Sequence, residues 1–124
     1  MKIDVPNRCK SSARKAFLQQ FTIALTECDH DAVMTSVSDD ITWHIPGEGD
    51  ITGKSDLARQ LALREKIKVK KLTLHNIITH GQQAAAHGEL HLENGDFIAF
   101  CDIYTFKSGQ APAVQSICSY MVCL

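Results

Sequence analysis

Asp102 is the side chain whose setting most demands a chemical explanation. It stands inside Phe100-Cys101-Asp102-Ile103-Tyr104-Thr105-Phe106, where aromatic and β-branched residues predict a strand. Taking a carboxylate out of water costs several kcal/mol unless it is paired, hydrogen-bonded or protonated. An acid kept in such a strand is either a bonded structural group or the polar end of a ligand pocket. In a pocket, desolvation and neighbouring charges tune its proton for general acid–base work.

Strand pairing supplies its expected neighbours. Asn94-Gly95 is the strongest hairpin signal in the chain. Read as a two-residue turn, it pairs Glu93 with Asp96 and sets Asp102 opposite His87. Ser108-Gly109, treated the same way, pairs Lys107 with Gln110 and sets Asp102 against Gln115. Ile117 then lies beside Phe100, and Ser119 beside Ile98. The expected face around Asp102 therefore holds His87, Gln115, Phe100, Tyr104, Ile117 and Ser119, an acid, an imidazole and an amide among aromatics. A competing pattern exists: Ala84, Ala86, Gly88, Leu90 and Leu92 alternate as an apolar face, which directs His87, Glu89 and His91 outward. A bulge at Gly88 or Pro112 would flip every side chain beyond it.

Other chemistries fit less well. His87-Gly88-Glu89-Leu90-His91 projects three metal-ligand types from one face, but same-face neighbours on a strand stand roughly 7 Å apart, too wide for chelation without a second strand. No metal is expected. His75 and His80 are expected at an exposed edge or an interface. No Ser stands at a nucleophile elbow, which removes a Ser-His-Asp triad. Gly47, Gly49 and Gly53 lack the spacing of a phosphate-binding loop, and no cofactor motif occurs. Lys66, Lys68, Lys70 and Lys71 read as solvated charge near a helix end. Five cysteines form an odd set without metal-type spacing. Free thiols in a reducing cytoplasm are expected, with Cys101 and Cys118 acting as small hydrophobes.

The elements that must position these residues follow from periodicity. At 124 residues, 44% hydrophobic and 22% charged, the chain reads as one soluble domain over residues 1–124. Its net charge of -1 argues against nucleic acid. No apolar run approaches a membrane span, and Met1–Lys10 lacks a signal-peptide core. The first ~28 residues predict a helix through Phe17, Phe21, Leu25 and Cys28, capped at Asn7 or at Ser11-Ser12. Asp29 opens a short helix over Asp31–Val37, ended by Ser38-Asp39-Asp40. Ile41–Ile45 alternates as a strand up to Pro46-Gly47. A glycine-rich loop then leads to a helix over about Lys54–Lys66. Strands follow at Val69–His80, Gln83–Glu93, Asp96–Lys107 and about Ala113–Cys123. This order is that of an α+β domain with helices on one face of a curved sheet. The Asp102 strand is apolar on both faces, so a homodimer packed through the outer sheet face is expected.

The element order, the segment Asp39-Asp40-Ile41-Thr42-Trp43-His44-Ile45-Pro46-Gly47, and Asp102-Ile103-Tyr104-Thr105-Phe106 before Ser108-Gly109 resemble the nuclear transport factor 2-like superfamily. Within it, SnoaL-like and ketosteroid-isomerase-like proteins are the nearest match, over nearly the whole chain from the first helix to Tyr120. The resemblance implies a cone-shaped, cystatin-like α+β fold. Its N-terminal helices pack on a strongly bent mixed or antiparallel sheet around a deep apolar pocket. It also implies that Asp102 matches the position where ketosteroid isomerases keep a protonated acid as a hydrogen-bond donor. Related epoxide hydrolases place a catalytic acid there too. The isomerases' base position holds Ile45 here, and the hydrolases' second acid corresponds to Ser119. His44, next to Ile45, is expected on the opposite, outer face.

The expected function is binding of a small apolar or carbonyl-containing molecule, without a cofactor, nucleic acid or membrane. Phe17, Phe21, Trp43, Ile45, Phe100 and Tyr104 would wall the pocket. In the catalytic version Asp102 is the acid and His87 its partner base in an isomerase-, cyclase- or hydrolase-like proton transfer. The alternative is a non-catalytic ligand-binding or dimeric scaffold module.

Overall fold

The computed structural model describes residues 1–6, 12–108 and 113–124. Along the chain it runs β1 (Lys2–Asp4), α1 (Ala13–Glu27), α2 (His30–Ser36), β2 (Val37–Ile45), β3 (Gly49–Thr52), α3 (Gly53–Arg64), β4 (Val69–His80), β5 (Gln83–Leu92), β6 (Phe97–Phe106) and β7 (Val114–Cys123). The strands form one sheet of seven, ordered β1-β4-β5-β6-β7-β2-β3. β1 joins β4 and β2 joins β7 in parallel, while the remaining pairs are antiparallel. The helices pack on the concave face of this curved, open sheet, the α+β architecture expected from the sequence. Among the described residues no helix is long and apolar enough to cross a membrane.

Local chemistry sets the helix ends. Ser12 caps α1 by accepting the Lys15 backbone N–H at 3.2 Å. At the other end Cys28 takes the left-handed conformation (φ 55°), and the Asp29 N–H returns to the Ala24 carbonyl at 2.9 Å. This reversal aims the chain into α2, whose first turn is capped by the Asp29 carboxylate on the Ala32 N–H. Leu18, Phe21 and Ala24 bury the inner face of α1, and Leu57 and Leu61 that of α3. Asn7, Cys9 and Ser11 fall outside the described residues, as does the part of the second turn at residues 109–112.

Three elements differ from expectation. β2 begins at Val37, so Ser38-Asp39-Asp40 lies in the strand and not between elements. The glycine-rich segment contains β3, paired with β2 from Ile45↔Gly49 to Thr42↔Thr52. Gly47 (φ 85°) and Gly49 (φ 118°) supply the conformations that turn this segment into a tight hairpin. β1 forms a short edge strand on β4, too short to register as a pattern.

The connection between β5 and β6 decides which residues meet. The Leu92 N–H bonds the Asp96 carbonyl at 2.9 Å, and the Gly95 N–H bonds the Leu92 carbonyl at 3.1 Å. The loop is therefore Glu93-Asn94-Gly95, with Gly95 at φ 95°, and not a two-residue turn. This one-residue difference pairs Asp102 with Ala86 and His87 with Cys101. A strand slipped by one residue exchanges its two faces. Ala84, Ala86 and Gly88 are buried accordingly, and His87 is exposed on the outer face.

Between β6 and β7, Asp102 pairs with Ser119 and Tyr104 with Ile117. The Lys107 N–H bonds the Ala113 carbonyl at 2.9 Å, which overturns its expected pairing with Gln110. The register shifts between Thr105↔Ser116 and Phe106↔Val114, leaving Gln115 as the extra, bulged residue. A second bulge lies in β4 between Leu74 and Asn76, opposite Gly88 and His87. There Gly88 is obligatory, because a Cβ would sit 2.0 Å from the Thr73 carbonyl oxygen.

Candidate functional site

At the inner end of the cone, four elements converge on Asp102. β6 presents the carboxylate toward the helices, β7 brings Ser119 directly across from it, β2 contributes Trp43, and α1 contributes Thr22. Ser119 Oγ donates to Asp102 Oδ1 at 2.6 Å, and Tyr104 OH donates to Oδ2 at 3.2 Å. Trp43 Nε1 donates to Ser119 Oγ at 2.8 Å. An indole N–H can only donate, so Ser119 accepts from Trp43 and spends its own hydrogen on Asp102. Thr22 Oγ1 donates to the Leu18 carbonyl at 2.9 Å and lies 3.3 Å from Tyr104 OH.

This network accommodates both protonation states of the acid. As a carboxylate, Asp102 accepts from Ser119 and Tyr104. As a neutral acid it carries its proton on Oδ2, because Oδ1 already receives Ser119. The Tyr104 hydroxyl can then turn toward Thr22. Burial pushes the Asp102 carboxyl up to about 6, against the opposing effects of the Ser119 and Tyr104 bonds and the Arg64 charge. Burial, and next the Asp102 charge, hold the Tyr104 phenol well above its ordinary value, so it remains a neutral donor.

Asp102 is 8% exposed, and that exposure faces a recess of about 70 Å³ bounded by Thr22, Trp43, Arg64, Phe100 and Ser119. The recess continues through Leu25, Thr26, Leu90 and Met121, which line both spaces, into an outer cavity of about 500 Å³. The outer cavity is mainly apolar, with Ile45, Ile51, Val69 and Ile98 in its wall. Glu48 and Asp50 stand at its exposed rim. A wide apolar mouth over a narrow polar end is a common plan for small-molecule sites. Asp102 and Arg64 are the two ionisable side chains among the described residues of the recess. An acid there that ionises at about 6 can lend a proton to a carbonyl oxygen or take one from a neighbouring carbon.

Several expected lining residues are elsewhere. Trp43, Phe100 and Ser119 border the recess, and Ile45 borders the outer cavity. Phe17 and Phe21 stack on each other with centroids 6.0 Å apart, and Phe21 meets Tyr104 edge-on, as core beneath α1 and not as pocket wall. Tyr104 and Ile117 are fully buried, and Tyr104 reaches the site only through its hydroxyl bond to Asp102. Gln115, displaced by its bulge, donates to Asp40 Oδ2 at 3.0 Å and does not approach Asp102.

His87 cannot serve as partner base to Asp102, because it projects from the opposite face of the sheet. There it lies beside His75, with ring centroids 5.6 Å apart, and His75 and His91 flank Glu89. His44 is likewise exposed and pairs with Asp50 across β2 and β3.

Arg64 was absent from the sequence-based expectations. It is the last residue of α3, and its guanidinium carbon lies 4.6 Å above the Trp43 ring. The signal was present: Arg64 continues the stripe Leu57-Leu61 at helical spacing, which points it inward with them. Thr22 was also overlooked, although it lies one helical turn from Leu18 and Leu25 on the buried side of α1.

Comparison with known proteins agrees with this geometry at the level of fold and family. An NTF2-like protein of unknown function from Cytophaga hutchinsonii superposes with a TM-score of 0.68 at 23% identity, covering 86% of this chain and 97% of that one. A putative SnoaL-like polyketide cyclase from Shewanella denitrificans superposes with a TM-score of 0.72 at 15% identity, covering 87% and 89%. The epoxide hydrolase/cyclase-like enzyme SalBIII, described as having a role in pyran ring formation in polyether salinomycin, gives 0.76 at 14% identity, covering 92% and 94%. These identities speak for the fold alone. Among curated proteins, none matches the sequence significantly. The SnoaL-like domain model matches residues 18–112, most of the chain, and the protein therefore belongs to the SnoaL-like domain family within the NTF2-like fold.

Proposed function

We propose that the protein binds a small, largely apolar, carbonyl-containing molecule in the cavity above Asp102 and catalyses an isomerase- or cyclase-type proton transfer on it. The observation that carries this reading is a buried acid, ionising at about 6, in a narrow polar recess that opens into a mainly apolar cavity. With His87 on the outer face, the acid–base work falls to Asp102 alone. As a carboxylate it takes a proton from the carbon beside the carbonyl. As the resulting neutral acid it returns that proton to another position of the same molecule, leaving Asp102 as it began. The Ser119 bond to Oδ1 holds the carboxyl in one orientation through both steps, and the Tyr104 bond to Oδ2 holds it while it is a carboxylate. No cofactor enters this scheme.

The test is exchange of α-protons of cyclohexyl methyl ketone in D2O, followed by NMR. Asp102→Asn keeps the shape and removes the ionisable group. Exchange accelerated by the wild type and reduced about 100-fold or more in the variant is expected. Equal rates for the two proteins would refute catalysis by Asp102. If the ketone raises the melting temperature of both proteins equally without any acceleration, the non-catalytic binding reading takes its place.

A homodimer belongs to the same reading. Ile78, Ile103, Tyr120 and Val122 are more than two-fifths exposed on the convex side of the sheet, a contiguous apolar surface of the kind that covers itself with a second copy. Light scattering at micromolar concentration should give twice the chain mass, and a monomer there would remove the dimer. Cys28, Cys101, Cys118 and Cys123 are free thiols, in keeping with a reducing compartment such as the cytoplasm.

A further inference from the structure

We infer that Arg64 is a specificity-determining residue, and that the molecule taken up in the cavity carries a carboxylate or comparable anionic oxygen which Arg64 binds. This rests on the small-molecule reading above and narrows its ligand class to apolar acids. Arg64 is half-buried and borders both the recess and the outer cavity. Among the described residues no carboxylate lies within ion-pair distance of its guanidinium, although Lys54, Arg59 and Lys107 each have one. Asp102, in the same recess, feels the Arg64 charge, but its two oxygens are taken by Ser119 and Tyr104 and it does not reach ion-pair distance. This half-buried cation therefore still lacks the direct pairing that an anion would supply.

The guanidinium is also held in place before any ligand arrives. It lies against Trp43, the single tryptophan of the chain, at 4.6 Å from the ring centroid. Trp43 is in turn fixed by its bond to Ser119, and Ser119 by its bond to Asp102. Stacking on the indole leaves the edge of the guanidinium free to form paired bonds with a planar anion, the geometry in which arginine exceeds lysine. Glu48 and Asp50 share the outer cavity, but both are solvent-exposed at the rim, and Asp50 is already engaged by His44. Their charges are screened by water more than a charge at Arg64. An apolar acid would thus place its anionic end at Arg64 and its hydrocarbon along Ile45, Leu90 and Ile98.

Because Arg64 lies on the only tryptophan, Trp43 fluorescence reports the event directly and independently of turnover. Octanoate and octan-1-ol are titrated at pH 6 against wild type, Arg64→Met and Arg64→Lys, with melting temperatures followed in parallel. We expect the wild type to bind octanoate about tenfold or more tightly than octanol, as one charge-assisted interaction would give. Arg64→Met, which keeps the apolar stem, should lose that preference while binding octanol within about twofold of wild type. Arg64→Lys should keep part of it. If the Met variant does not fold, Arg64→Gln serves the same comparison.

Equal binding of acid and alcohol by the wild type, or an undiminished preference in the Met variant, would overturn the assignment of Arg64 and leave the pocket intact. If neither compound alters fluorescence or melting up to its solubility limit, the pocket reading fails together with it.

Discussion

Ser119 Oγ lies 2.6 Å from Asp102 Oδ1, directly across the β6–β7 ladder, and receives the Trp43 indole N–H at 2.8 Å on its other side. One hydroxyl thereby stabilises the carboxylate and satisfies a buried donor. Ser119→Ala breaks both contacts. The Asp102 carboxyl is expected to rise above about 6, since the largest opposing influence on it is removed. The orphaned indole N–H should add a stability loss of about 1–3 kcal/mol. A carbon-13 NMR titration of the Asp102 carboxyl checks the first outcome. A pKa that stays put or falls would contradict this account of the site.

Tyr104 bonds the other carboxylate oxygen at the longer distance of 3.2 Å. Tyr104→Phe should therefore raise the Asp102 carboxyl less than Ser119→Ala does. Thr22 retains its bond to the Leu18 carbonyl, so the stability cost should be a modest ~0.5–1.5 kcal/mol. The two variants titrated side by side decide the ranking, and a larger shift from the phenylalanine variant would reverse the assigned importance of the two donors.

The pH dependence of stability has a definite sign. Asp102 ionises at about 6 in the folded protein, against 3.8 for the ordinary side chain. The folded state therefore holds its proton more firmly than the unfolded chain. Asp102's contribution to stability is full below 3.8 and is lost as pH rises through about 6. Asp102→Asn does not titrate and lacks this loss. Between pH 4 and pH 7.5 its stability relative to wild type should improve by about 2 kcal/mol, most of the free-energy equivalent of the full shift from 3.8 to about 6. Denaturant unfolding of both proteins at the two pH values measures it, and no relative change would mean that Asp102 is not appreciably raised.

Gly88→Ala tests the bend of the sheet. The added Cβ would lie 2.0 Å from the Thr73 carbonyl oxygen, a backbone atom inside a paired strand that cannot rotate away. A loss of at least about 1–3 kcal/mol is expected, of the size seen for overpacked cores. Thermal or denaturant unfolding provides the measurement. A neutral substitution would show that β4 shifts freely at its bulge and that the curvature over the pocket is soft.

The candidate site was legible in part. Period-two alternation marked β4 through β7 to within a few residues at each end, and Ala84-Ala86-Gly88-Leu90 correctly announced which side of β5 faces inward. That local pattern contradicted the pairing drawn from Asn94-Gly95, and the local pattern was right. The turn contains one residue more than its sequence signal suggests, and the difference moved His87 to the far side of the sheet. For β7 the expected face was right but displaced along the strand, so that Ser119, matched to Ile98, stands opposite Asp102. Gln115 left the site because a bulge consumed it.

By itself the sequence determined that an acid would be buried in an aromatic strand, which elements would surround it, and which family it resembles. These follow from side-chain chemistry and short-range periodicity, where each residue's preference is expressed within a turn of helix or a pair of strand positions. Only the tertiary structure decided who meets that acid. Ser119, Trp43, Thr22 and Arg64 come from β7, β2, α1 and α3, and their convergence depends on loop lengths, bulges and helix ends. Strand register is sensitive to a single inserted residue, and no local pattern measures the distance from the end of α3 to the middle of β6. The carboxylate was visible in the chain, while the cation that shares its recess and the hydroxyl beside it were products of folding.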